Sequence, residues 1–271
     1  MQVAVSLDGV GWLLLNASPD LRSQIEATPE LQPRQTRGTP IEGVVLTSGD
    51  LDQVLGLLLL RELTPLRIFS SASVRRIVRE DNAFFHMLSQ NPMQSKWVDI
   101  RPRQPFAPLP GLCCRAISLG GGYPHWVPAV RAGELDANES VFGLILESKQ
   151  EGSKRAGQIN RLAYMPAMAR YSDALLAELD LCDAVLLDGT FWSDDELQRV
   201  DAAARTARQM GHVPLGGPGG VLEAASGLRR PRKIFVHINN TNPILDEDSP
   251  QFAEVNAAGW EVAKDGWTLG C

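Results

Sequence analysis

Cysteine is scarce. The 271 residues include four, Cys113, Cys114, Cys182 and Cys271, and no two form a CxxC pair. That spacing excludes a zinc ribbon and a dithiol redox motif within the chain, and it fits a reducing, cytoplasmic setting. Long apolar runs are missing too. The longest, Val54 to Leu60, is broken by Gly56 and ended by Arg61, about half of the roughly 20 residues that cross a bilayer. No basic-then-apolar leader pattern opens the sequence, so no membrane insertion is expected. Basic blocks are absent. The 26 Lys and Arg are dispersed among 32 Asp and Glu, for a net charge of −6, which leaves a nucleic-acid partner without an electrostatic basis. Neither GxSxG nor GxxxxGK[ST] occurs, which argues against a nucleophile-elbow hydrolase and a phosphate-loop nucleotide site.

Hydrophobic residues make up 44% and charged residues 21%, ordinary globular usage. Val3 to Ser6 and Trp12 to Leu15 read as strands about an Asp8-Gly9 turn. Ser18 is a candidate cap, with Pro19 as first helical residue, for a helix reaching about Ala27. Strands are expected at Val44 to Leu46, Arg67 to Phe69, Leu112 to Ser118, Val141 to Glu147, Arg161 to Met165, Ala184 to Leu187, Lys233 to Ile238, Trp260 to Val262 and Thr268 to Leu269. Helices are expected at Val54 to Glu62, Ser73 to Leu88, Ala174 to Leu179, Asp194 to Met210, Gly219 to Gly227 and Ser249 to Ala258. Gln150 to Gln158 reads as an exposed hairpin loop. The mixture of strands and helices predicts a layered α/β protein. With no linker, 1–271 reads as a single domain.

Four segments could carry chemistry. Ser48-Gly49-Asp50-Leu51-Asp52-Gln53 joins a buried strand to an apolar helix, where its acids either cap the helix or hold a metal. His237-Ile238-Asn239-Asn240-Thr241-Asn242-Pro243 leaves an apolar strand. It is either a self-bonded turn or a metal ligand supported by Asn239 and Asn240. Asp188 ends another buried strand before Gly189, and either bonds the turn or joins a metal site. Gly211-His212-Val213-Pro214 runs into a Gly-rich stretch whose amides either receive an anion or form a plain loop.

These segments resemble, in order and over nearly the whole chain, the PqqB family of pyrroloquinoline quinone (PQQ) biosynthesis. The matching blocks are Asn16-Ala-Ser-Pro-Asp-Leu-Arg with Gln24-Ile-Glu-Ala-Thr-Pro-Glu-Leu, then Asp50 through Glu62, Leu187 through Trp192, Met210 through Gly220 and His237 through Asp246. The resemblance implies a metallo-β-lactamase-like αββα sandwich with a metal cleft at the strand ends. The fold's HxHxDH motif reads Ser48, Asp50, Asp52 and Gln53 here. Asp52 and His237 match family ligand positions, and Asp50 is a candidate third. Gln53 replaces a histidine and offers only a weaker carbonyl oxygen, so metal binding is expected to be weak or altered. The family's N-terminal strand and Cys-x-Cys-x-x-Cys zinc knuckle have no counterpart. The expectation is a start upstream of Met1 or a shortened relative, without a structural zinc in this chain. A missing edge strand makes a homodimer a candidate assembly.

By resemblance, the chain takes part in PQQ biosynthesis. One role is metal-dependent hydroxylation of the tyrosine of a Glu-Tyr precursor by an iron-dependent oxygenase. The alternative is non-catalytic binding and carriage (transport) of PQQ or a precursor toward the periplasm. Hydroxylation calls for a redox metal, Fe(II) above Zn²⁺, on Asp50, Asp52 and His237, with Asp52 and His237 as the catalytic pair. Gln53, Asn239, Asn240, Asp188, His212 and Arg61 are candidates for supporting these ligands or binding substrate.

Overall fold

A computed structural model describes residues 2–36, 38–60, 65–89, 95–148 and 160–269. Arg61, the Gln150 to Gln158 loop and Cys271 lie outside them. The described residues group into two compact units, the first within Met1–Ser118, Gly122–Phe142 and Ser148–Gln150, the second within Leu119–Gly121, Gly143–Glu147 and Glu151–Cys271.

In the first unit, strands β1 (Val3–Val5), β2 (Trp12–Leu15), β3 (Ile41–Val45), β4 (Leu66–Ser70) and β5 (Ser95–Asp99) form one sheet in that order. β1 and β2 pair antiparallel, the rest parallel. The β1–β2 turn is held by Asp8, whose Oδ1 accepts from Val10 N at 2.8 Å and Gly11 N at 3.0 Å. β6 (Pro105–Leu109) and β7 (Leu112–Ser118) form an antiparallel hairpin. Short helices α1 (Leu21–Ala27), α2 (Leu51–Val54), α3 (Ala72–Arg75) and α4 (Ala129–Gly133) accompany the strands. Leu14, Val44, Ile68, Leu57, Val74 and Phe85 meet in one apolar cluster. Burying each such side chain contributes roughly 1.5–3 kcal/mol.

Three helices depart from expectation. α1 starts at Leu21 behind Asp20, not behind Ser18. The Ser18 stretch is spent on tertiary bonds: its N–H donates to Gln2 Oε1, and Ala17 O accepts from Gly56 N. The Val54 to Glu62 helix begins earlier, at Leu51, and continues over Leu55–Leu59 as 3₁₀. The Ser73 to Leu88 helix is broken into α3, a π-turn over Arg76–Glu80 and a 3₁₀ segment over Ala83–Ser89. Its break falls at Asp81, whose carboxylate receives two bonds from Arg131.

In the second unit, the strands run in the order β12 (Trp260–Val262), β11 (Arg232–Val236), β10 (Ala184–Asp188), β9 (Arg161–Met165), β8 (Phe142–Ser148, of which Gly143–Glu147 belong here). β9 to β12 are mutually parallel and β8 is antiparallel to β9. Every residue of β10 is buried, as its unbroken apolar run Ala-Val-Leu-Leu requires. α5 (Asp173–Asp180) is capped by Ser172 and α7 (Pro250–Ala257) by Ser249, with the short α6 (Val221–Ala224) between them.

The Asp194 to Met210 helix is replaced by turns and two 3₁₀ segments, Leu197–Arg199 and Arg208–Met210. Asp194 closes that loop on itself, its carbonyl receiving Ala207 N and its carboxylate Arg208 N. The Gly219 to Gly227 helix shrinks to α6. Thr268 and Leu269 pair with no strand among the described residues.

Candidate metal centre

Because β9, β10 and β11 are parallel, their carboxyl ends leave on one edge, where ligand sites collect in such sheets. Asp188 is the last residue of β10 and pairs in register with Val236, the last of β11. His237 therefore follows Asp188's neighbour directly. Gly189 lets the chain turn tightly against β11: a Cβ there would lie 3.0 Å from Phe235 Cβ and 3.1 Å from Val236 O. His237 adopts a left-handed backbone, φ +58°, uncommon outside glycine though less so for His. Such strain tends to gather at functional sites.

Asp188 is 1% exposed, and each of its oxygens has close partners. Oδ2 lies 2.6 Å from His212 Nδ1 and accepts from Met168 N at 2.9 Å. Oδ1 accepts from Thr190 N at 3.1 Å and meets Thr190 Oγ1 at 2.5 Å. Thr190 Oγ1 also sits 2.8 Å from His237 Nδ1 and 3.0 Å from His237 O. A hydroxyl has one proton to donate. One assignment satisfies the relay: His237 Nδ1–H donates to Thr190 Oγ1, whose O–H donates to Asp188 Oδ1. His212 Nδ1–H then donates to Asp188 Oδ2. With both Nδ1 atoms protonated, Nε2 is the basic nitrogen on each ring, the tautomer a metal ligand needs.

Burial opposes ionisation of Asp188. The charge and hydrogen bonds of His212, and then of His237, outweigh it and hold the carboxyl well below the usual carboxylate range. The rings of His212 and His237 lie 5.4 Å apart, and Phe191 packs edge-on to His212 at 5.8 Å. Asp188, His212 and His237 each offer one ligand atom within 4.8 Å of the others. One carboxylate and two imidazoles, nearly buried, are a donor set that fits a divalent transition metal.

The loop after β11 is locked in place. Asn242 Nδ2 donates to Gly189 O at 2.8 Å, and Asn239 N to Thr190 O at 3.1 Å. Asn239 Nδ2 donates to Thr241 Oγ1, which donates to the buried Glu196. The Asn239 amide thus braces the loop itself, and Asn240 is exposed. Glu196 lies outside the motif blocks, and Thr190 lies within the Leu187 to Trp192 block, which by itself assigns it no role. The Gly-rich loop after His212 offers no anion cradle at Gly219, whose N–H is taken by Glu223 Oε2.

Asp50, Asp52 and Gln53 belong to the first unit. Asp50 heads α2, and its Oδ2 accepts from Ser48 Oγ at 2.7 Å. Gln53 is buried, and its carbonyl oxygen lies 2.7 Å from Thr47 Oγ1, which also approaches Asn16 Oδ1. Asp52 lies in the first turn of α2.

A family model described as the β-lactamase superfamily domain matches residues 11–238. The chain is 39% identical over 268 residues to coenzyme PQQ synthesis protein B of Methylorubrum extorquens (strain PA1), covering 98% of this chain and 86% of that protein. It is 40% identical over 275 residues to the protein so named in Xanthomonas oryzae pv. oryzae (strain MAFF 311018), covering 97% and 85%. The crystal structure of Zn²⁺-bound PqqB from Methylobacterium extorquens matches with a TM-score of 0.87 at 38% identity, covering 100% of this chain and 87% of that one.

Proposed function

Since this chain belongs to the coenzyme PQQ synthesis protein B family, with its metallo-β-lactamase fold of two sheets, we propose that it acts in PQQ biosynthesis by hydroxylating the tyrosine ring of a Glu-Tyr precursor. The observation that carries this reading is the Asp188, His212 and His237 set. Two imidazoles and one carboxylate suit Fe(II), which as a redox metal supplies O₂ chemistry that Zn²⁺ does not. In the overall reaction one oxygen atom of O₂ enters a ring C–H bond to give a hydroxyl and the other leaves as water, with two electrons from an external reductant and two protons.

The chain's own residues supply position and charge. Asp188 and Thr190 fix the tautomers of the two imidazoles. Met168 N and the Asn242 bonds hold the three strand exits together. Asp50 and Asp52 remain proposed ligands from the family motif, and the substrate is proposed to be the excised Glu-Tyr unit. The test is to supply the Fe(II)-loaded protein with Glu-Tyr, O₂ and ascorbate. The expected product is one oxygen atom heavier and forms with O₂ uptake. Loss of both in His237→Ala would tie the reaction to this centre. No product from the loaded wild type ends the hydroxylase reading.

A second reading is carriage of PQQ or its precursor. Gln53 favours it, because its carbonyl oxygen, at the closing position of the metal motif, is engaged by Thr47. Micromolar PQQ binding without turnover would select this reading.

A further inference from the structure

The ligand set does not use Glu196, a buried acid on the segment that follows β10. Its Oε2 accepts from Trp192 N at 2.6 Å and its Oε1 from Thr241 Oγ1 at 2.5 Å. Both bonds are short, as bonds to a carboxylate are. Thr241 Oγ1 in turn accepts from Asn239 Nδ2 at 2.7 Å, and Asn239 N donates to Thr190 O at 3.1 Å. Thr190 and Trp192 are two residues apart, so these bonds close a ring that runs Thr190, Asn239, Thr241, Glu196, Trp192 and back to Thr190. One side of the ring is the exit of β10, which carries Asp188. The other is the exit of β11, which carries His237.

The ring bears directly on His237. Thr190, one of its members, meets His237 Nδ1 at 2.8 Å and His237 O at 3.0 Å through its hydroxyl. Asn239, another member, is two residues past His237. The left-handed backbone of His237, φ +58°, persists only where its surroundings over-determine it. The ring supplies that constraint from both sides. We infer that Glu196 is a positioning residue: by clasping Thr241 to the Trp192 amide it holds the β11 exit, so that His237 keeps its left-handed backbone and presents Nε2 to the metal ion. Glu196 acts through Thr241 and not on the ion itself. It can do so only if the centre holds a divalent ion, whether the chain hydroxylates or carries.

The test uses the full chain, cleared of metal with EDTA, as wild type, Glu196→Met, Thr241→Val, Thr241→Ser and the double variant Glu196→Met with Thr241→Val. The probes are Zn²⁺, titrated against a chromophoric chelator, and Co²⁺, read by its visible bands. Glu196→Met and Thr241→Val are each expected to bind Zn²⁺ about 10-fold more weakly and to shift the Co²⁺ bands. The double variant is expected to lose about the same 10-fold, since a ring opened once is open, whereas independent roles would multiply to about 100-fold. Thr241→Ser is expected to keep wild-type affinity and bands. Asn242 Nδ2 still donates to Gly189 O across the two exits in every variant, so each is expected to melt cooperatively without metal. Wild-type affinity and bands in Glu196→Met, even at a lower Tm, would make Glu196 a structural group and overturn the proposal. A multiplied loss in the double variant overturns it too. If Glu196→Met does not fold, Thr241→Val decides, and wild-type metal binding there overturns the proposal. A wild type that binds neither ion ends the metal reading and the proposal together, whereas a missing hydroxylated product ends the hydroxylase reading alone.

Discussion

At the scale of single residues, the candidate centre depends on which ring nitrogens carry protons. Thr190 links His237 to Asp188 through one hydroxyl. Thr190→Val keeps the shape and removes the link. Its Zn²⁺ affinity, measured by competition with a chromophoric chelator, should fall about 10–100-fold, while Thr190→Ser stays near wild type. An equal affinity in the Val variant would separate the relay from metal binding. Cys114 tests burial without the centre. Burial, and then the neighbouring Cys113, push its thiol above the usual range. In the folded chain its thiolate is suppressed, so Cys114 weighs against the fold only once pH climbs past the ordinary thiol range. Iodoacetamide at about pH 8, near the ordinary thiol value, should leave Cys114 unlabelled until denaturant is added. Prompt native labelling would contradict its placement on the inward face of β7.

At the scale of elements, local propensity and tertiary demand disagree in readable ways. Asp194 to Met210 is rich in Ala, Arg and Gln, good helix formers. It is a looped segment because Asp194 binds Ala207 and Arg208, and because Glu196 is drawn inward to Trp192 N and Thr241. Of those partners Thr241 lies 45 residues from Glu196, beyond the reach of any local window. The strands fared better: Leu112 to Ser118 and Arg161 to Met165 coincide with β7 and β9, since apolar alternation and buried runs are local signals. Gly56 marks a close approach that sequence does not disclose. A Cβ there would lie 2.3 Å from Ser18 O, a backbone atom with little room to move. Gly56→Ala should destabilise the protein by about 1–3 kcal/mol, read as a lower urea midpoint at unchanged slope. A wild-type midpoint would show that the Ser18 turn yields freely.

At the scale of the whole molecule, the family and its two-sheet fold were legible from motif order alone. The partnership of Asp188 with His212 and His237 was not. Each residue was visible at a strand end or in a Gly-rich loop, but their meeting depends on the parallel register that sets Asp188 beside Val236. Metal binding should also report on the fold globally. Zn²⁺ at about 100 times its Kd should add about 2.7 kcal/mol of stability, seen as a Tm rise that excess EDTA reverses. A Tm indifferent to both would deny the centre a resident ion. The parallel order has a kinetic corollary as well. Side chains hung on the exits of β9, β10 and β11 cannot meet until two long crossovers have closed, the slow part of assembling any such sheet. During refolding, cobalt colour at the centre should therefore trail the recovery of backbone ellipticity, making the ion a stopwatch for the last strands to dock.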